Sequence, residues 1–191
     1  MEFTLYYRGN LKSNSGAEDK HRLRCHFHPQ MKALWQQKPL SAFKDSLLQT
    51  PGVETRLAKG NLSVIRTIAG FKFAPLVSAR IHLIAELDIL LLRPEPPGAI
   101  VTQGGDIDNR IKTLLDALKV PSEPNALPKN AAPRSDETPF FCLLEDDNLI
   151  TKVSVESDRL LEPVKTPSEV VLLIRVKTKQ LAVLTGTIGL S

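Results

Sequence analysis

Asp106 and Asp108 stand two positions apart, immediately before a stretch of helical periodicity, and Lys112 follows Asp108 by four. Further on, Glu145, Asp146 and Asp147 form a run of three adjacent acids. Carboxylates held close together repel unless solvent or a cation relieves them, and hard divalent ions take oxygen ligands of this kind. Mg²⁺ typically uses one or two carboxylates together with water and substrate phosphate. The chemistry such a set implies is phosphoryl transfer, in which one ion orients and deprotonates a water and another stabilises the leaving oxygen. Lys112 would balance the carboxylates or stabilise charge on the phosphate. The bland reading explains each piece separately: Asp108 caps a helix, Asp108 and Lys112 form an i, i+4 pair worth a few tenths of a kcal/mol, and the acids at 145 to 147 are solvated. Spacing alone leaves both readings open.

The elements that must position these groups can be read from periodicity. Ile107, Ile111, Leu114, Leu115 and Leu118 repeat at helical spacing, which predicts a helix over Ile107 to Lys119, stopped by Val120-Pro121. Asp106 then belongs to an extended segment and Asp108 caps the helix, so that both converge on one cation. Phe140 to Leu144 is a compact apolar strand running straight into the second acidic group. If the chain stays extended there, Glu145 and Asp147 share a face and Asp146 points away, so strand parity favours Asp147 as a ligand. Should the strands ahead of the two clusters be neighbours, four or five carboxylates meet at one sheet edge.

The remaining chain reads as a mixture of strands and helices. Phe3 to Arg8 alternates like a strand, and Lys12 to Lys20 is a polar surface loop. His21-Arg22-Leu23-Arg24-Cys25-His26-Phe27-His28 invites a zinc reading, but closed sites need four ligands, and a basic strand or turn is the favoured alternative. Pro29 suits the first position of a helix through Gln37, with Met31, Leu34 and Trp35 on its packed face. A short helix follows over Ser41 to Leu48. Leu62 to Ile68 and Phe71 to Phe73 are strands about an Ala69-Gly70 bend, with Pro75 to Ser78 as a connection. Arg80 to Leu92 reads as a central strand with one face buried and one partly polar, with helix as the competing assignment. Residues 121 to 139, with five prolines, form an irregular excursion without its own core. Lys152 to Ser157 and Val170 to Lys177 complete the strands, and the tail from Gln180 is weakly patterned.

Composition bounds the class. At 191 residues, 42% hydrophobic and 24% charged, the chain is expected to be a single soluble domain over residues 1–191, with an α/β (α+β) fold. No apolar run approaches a membrane span, the first residues lack the order of a signal peptide, and only Cys25 and Cys142 are present, so a cytoplasmic protein is expected. The net charge of +4 is unevenly spread: residues 1–60 carry ten Lys/Arg against five Asp/Glu, whereas residues 121–191 carry eight against ten. The basic N-terminal portion suits a polyanion such as nucleic acid, with Lys20, Arg22, Arg24, Lys32 and Arg110 as candidate phosphate contacts.

Taken together, Gly105-Asp106-Ile107-Asp108-Asn109-Arg110-Ile111-Lys112, then Asp116-Ala117-Leu118, then Asp146-Asp147 after an apolar strand, resembles the RusA family of Holliday-junction resolvases. The resemblance covers about residues 80–177, and the N-terminal 60 residues carry none of its motif. It implies a RusA-like mixed β-sheet with helices packed on it, a homodimer, dependence on Mg²⁺ or Mn²⁺, and nicking of branched DNA in recombination and repair. It further implies that Asp106, Asp108 and Asp147, with Asp146 beside them, are the metal-binding acids and Lys112 the catalytic lysine. Two other expectations compete with a nuclease: a non-catalytic nucleic-acid-binding module of the same fold, and a metal-dependent phosphohydrolase acting on a small molecule.

Overall fold

A computed structural model describes residues 1–49, 62–95 and 107–182 of the chain. Among these residues seven strands and three α-helices occur in the order β1 (Glu2–Asn10), α1 (Ala17–Leu34), α2 (Leu40–Leu47), β2 (Arg66–Ile68), β3 (Phe71–Val77), β4 (Leu83–Arg93), α3 (Ile107–Leu118), β5 (Phe140–Leu144), β6 (Ile150–Arg159) and β7 (Glu169–Gln180). They build two mixed sheets. One has the order β1-β7-β4-β6, with β4 antiparallel to β7 and parallel to β6; the other is β2-β3-β5, with β3 parallel to β5.

β4 is a strand because its burial alternates along all 11 residues: Leu83, Ala85, Leu87, Ile89 and Leu91 are buried, with Glu86 and Asp88 on the less buried face. A helix would have distributed those acids around its circumference. Val170, Leu172, Ile174 and Val176 of β7 continue the buried face, and it packs into the same core as Leu5 of β1, Leu23, Phe27 and Met31 of α1, and Leu114 and Leu118 of α3. β5 is buried on both sides. Phe141 and Leu143 join the main core, while Phe140 and Cys142 join Phe71, Phe73, Val120 and Leu127 in a second cluster. The molecule is thus one compact α+β domain.

Four local expectations need correction. The histidine-rich stretch is neither strand nor turn but the body of α1, 18 residues long, which contains Pro29 rather than beginning at it. Leu23, Phe27 and Met31 recur at i, i+4 and i+8 and are buried, and that burial outweighs the one intrahelical bond Pro29 cannot donate. The strand expected from Leu62 narrows to β2, three residues long. Pro75 lies inside β3 instead of ending it; β2 pairs only with Phe71–Phe73, so at Pro75 one edge of β3 has no neighbour needing an N–H among the described residues. The excursion at 121–139 is irregular as expected, with short 3₁₀ turns at Pro124–Ala126 and Ser135–Glu137, yet Leu127 closes the second apolar cluster and Glu137 is buried against Arg134.

Candidate functional site

α3 carries two adjacent stripes. Ile107, Ile111 and Leu115 recur every four residues, and beside them run Asp108, Lys112, Asp116 and, one turn on, Lys119. Opposite these stripes lie Val153, Val155 and Ser157 on one face of β6, with Asp147 at the start of the 3₁₀ turn Asp147–Leu149. Together they line a cleft of about 550 Å³. Asp108, Lys112 and Asp147, far apart in sequence, therefore share one cavity. They meet between a helix and the turn after β5, rather than along a single sheet edge.

The cleft's charges are tied to one another. Lys20 of α1 donates to Asp116 Oδ2 at 2.7 Å, Lys119 Nζ lies 3.5 Å from the other oxygen of Asp116, and it donates to Asp147 Oδ2 at 2.7 Å. Lys119 holds the Asp147 carboxyl below the usual aspartate range, against the opposing effect of burial. Burial pulls the Lys119 ammonium down, but the bond to Asp147 and the charges of Asp147 and Asp116 outweigh it and hold the lysine above its ordinary value. Asp108 and Lys112 are both exposed at the cleft.

The three adjacent acids take different partners. Glu145 turns away from the cleft: its Oε2 accepts from Ser78 Oγ at 2.6 Å and from the Ala79 N–H at 3.1 Å, and its other oxygen pairs with Arg66. Asp146 caps the 3₁₀ turn by accepting from the Asn148 N–H at 3.0 Å. Only Asp147 of the three lines the cleft. The turn breaks the extended geometry that would have placed Glu145 and Asp147 on one face, because Asp146 capping redirects the chain at that point.

Asp106 lies outside the described residues. Among the described residues, no group of three or more His, Cys, Asp or Glu is arranged to hold a metal ion. A Mg²⁺ site needs only one or two carboxylates, the rest being water and phosphate, so the hard oxygens of Asp108 and Asp147 satisfy the donor chemistry. At the histidine-rich stretch, His28 is instead a core residue. Its Nδ1 accepts from the Phe141 N–H at 2.9 Å, which fixes the proton on Nε2, and that nitrogen donates to the Asp136 carbonyl at 3.2 Å. Cys25 lies 3.7 Å from His21 Nε2, and its thiol faces Glu137.

The candidate phosphate contacts divide in the same way. Arg24 is buried, donating to the Asp116 and Ala126 carbonyls at 2.8 and 3.2 Å, and Arg110 is buried beside Glu95. Both guanidiniums are committed within the protein. Lys20 holds Asp116, while on α1 Arg22, paired with Asp19, remains exposed and Lys32, donating to the Asp136 carbonyl, is half-buried. Lys119 escaped the reading of the sequence, although its position three residues after Asp116 and seven after Lys112 extends the charged stripe of α3. No helix among the described residues is long and apolar enough to cross a membrane. Comparisons of the chain with protein-family models, curated proteins and solved structures find no match.

Proposed function

We propose that the protein is a Mg²⁺- or Mn²⁺-dependent endodeoxyribonuclease of RusA type that cuts phosphodiester bonds in branched DNA, acting as a pair of copies. The observation carrying this reading is that Asp108, Lys112 and Asp147, three positions of the RusA-like motif, line one cleft. Asp108 and Asp147, joined by the neighbouring Asp106, would hold the ion, which when bound supplies an activated water and offsets negative charge. Lys112, exposed at the cleft, is suited to a non-bridging phosphate oxygen. Lys119, itself held by Asp116, keeps the Asp147 carboxylate ionised and oriented.

One specific observation favours a second reading. A cleft of about 550 Å³ with apolar walls falls within the size range of small-molecule sites, so a compact phosphoester is the competing substrate. The deciding experiment presents wild-type protein with a synthetic four-way junction, linear duplex and a small phosphoester, with and without Mg²⁺. The nuclease reading expects Mg²⁺-dependent nicking of the junction, abolished in Asp108→Asn and Asp147→Asn while junction binding is retained. Nicking at wild-type rate in both variants sinks it; turnover of the small ester alone selects the second reading. Junction binding that weakens steeply with salt, with no nicking, would identify a non-catalytic module.

A further inference from the structure

The two outer edges of the four-stranded sheet are finished differently. On β1, α1 caps the edge at Tyr6: the Tyr6 N–H donates to Gln30 Oε1 at 2.9 Å, and the Tyr6 carbonyl accepts from Gln30 Nε2 at 2.7 Å, with His26 Nε2 at 3.1 Å. At the opposite edge, among the described residues, β6 runs for ten residues beside β4 alone. Alternate N–H and C=O groups of such a strand point away from its neighbour. Among the described residues none of these outward groups has a partner, apart from the Arg159 N–H, which the adjacent Asp158 carboxylate accepts.

Edges of natural sheets are usually shortened, bulged, charged or interrupted by proline, and of these devices β6 carries charges, at Lys152, Glu156, Asp158 and Arg159. β6 has no proline, and its pairing with β4 is regular from Lys152 to Arg159, the one register shift falling before it at Ala85/Glu86. Thr151 to Glu156 are all exposed, with Val153 and Val155 at 43% and 39%. A strand this long, open on one edge and apolar at its middle, is a template for another strand.

The sequence of β6 says which one. Turned end for end about Ser154, it complements itself: Lys152 falls opposite Glu156, Val153 opposite Val155, and Thr151 opposite Ser157. Opposite charges, β-branched pairs and hydroxyl pairs are the cross-strand combinations that stabilise antiparallel neighbours. Two features within a single chain fit this register. Glu156 makes no ion pair among the described residues, and the buried Ser157 Oγ has no hydrogen-bond partner. In the pairing, Glu156 meets Lys152 of a second copy, which otherwise pairs with Asp88 at 2.9 Å, and Ser157 falls opposite Thr151, whose hydroxyl donates to the Ala85 carbonyl of its own chain at 3.3 Å.

We infer that β6 pairs antiparallel with β6 of a second copy of this chain, about a two-fold axis at Ser154, joining the two four-stranded sheets. Because Val153, Val155 and Ser157 are also a wall of the cleft, the second copy borders the site. The inference rests on the strand and its register, and is independent of the chemistry assigned to the cleft.

The test measures self-association of the full-length chain by sedimentation equilibrium, with no activity readout. Wild type is expected to dimerise. Glu156→Lys and Lys152→Glu each place like charges opposite one another twice per dimer, and are expected to weaken association by about tenfold or more. An equimolar mixture of the two variants restores both opposite-charge pairs and is expected to associate as wild type does, as is the Lys152→Glu/Glu156→Lys double variant. Among the described residues Glu156 has no ion pair to lose, so its variant separates association from folding, which a thermal melt checks. A wild-type chain monomeric throughout, a dimer indifferent to both charge reversals, or reversals that the mixture fails to rescue would each overturn the inference.

Discussion

Lys119 Nζ donates to Asp147 Oδ2 at 2.7 Å, and the backbones carrying the two residues are fastened together at Leu144, three residues before Asp147. Lys119 forms an isolated parallel bridge with Leu144, where the Val120 N–H donates to the Leu144 carbonyl at 2.9 Å. α3 therefore ends as a brief extra strand beside β5. That contact delivers Lys119 to the place where the turn after β5 presents Asp147. Lys20, through Asp116, supports the arrangement from α1.

Removing the ammonium should release the carboxyl. Lys119→Met is expected to raise the Asp147 pKa toward the ordinary aspartate value of 3.8, read as a carboxyl ¹³C titration by NMR. The sign for stability follows. Asp147, depressed in the folded state, stabilises above its unfolded pKa, and that contribution is lost as pH falls through the folded value. Lys119, elevated, stabilises below its unfolded pKa, and loses its contribution as pH rises through the folded value. The pair thus acts between these limits. With Asp147 partly exposed, the loss in Lys119→Met at neutral pH is about 1 kcal/mol or less by chemical denaturation. An unmoved Asp147 titration would show that the pair does not form in solution.

Glu145 and Asp147 should respond in opposite ways. Glu145→Ala removes the acceptor for Ser78 and Ala79 and the partner of Arg66, so it is expected to cost about 2 kcal/mol in denaturant midpoints while leaving any Mg²⁺-dependent cleavage in place. Asp147→Asn should retain stability to within about 1 kcal/mol and lose cleavage. Equal loss of cleavage in both would mean that the two acids work together, contrary to their separation across the turn.

This separation also marks how far the site could be read from sequence. The helix of Ile107 to Leu118 was visible because its apolar residues recur at 3.6 and its acids do not interrupt them. β4 was visible through the alternation of Glu86 and Asp88. The parting of Glu145 from Asp147 was not, because it depends on a tertiary partner, Ser78, that precedes Glu145 by 67 residues. α1 was misread for a related reason: its polar residues Arg24 and His28 are buried, each hydrogen-bonded to backbone groups from distant elements, so the buried stripe carries charges that periodicity counts as exposed. Lys119 needed the β5 backbone to acquire a position at all.

The two thiols should be slow to react for the same reason. Cys142 is buried in the second apolar cluster, where desolvation pushes its thiol far above the ordinary range, and Cys25 is raised by partial burial and by the nearby Glu137 carboxylate. Native protein is expected to react with a thiol-specific disulfide reagent at pH 8 far more slowly than unfolded protein, with Cys142 modified only on unfolding. Rapid native labelling of Cys142, identified by mass spectrometry, would contradict the packing of β5 against Phe73 and Leu127.

His28 supplies a pH dependence with a definite direction. Desolvation lowers its pKa from the ordinary 6.5, outweighing the carbonyl of Asp136, and the neutral ring is the form that can accept from the Phe141 N–H. The unfolded chain therefore binds a proton at higher pH than the folded one. Stability is fully present above about 6.5 and falls as pH drops from there toward the lower folded value. His21, lowered by burial as well, adds to the same slope. His28→Ala leaves the Phe141 N–H without its acceptor inside the core and is expected to cost about 1–3 kcal/mol at pH 7.5, with a smaller cost at pH 5, because the wild type has already lost part of what His28 contributes. Denaturation curves of both proteins at the two pH values check this: a cost that grows on acidification would mean that His28 is charged in the folded state, and that its Nδ1 does not accept from the strand carrying the chain toward Asp147.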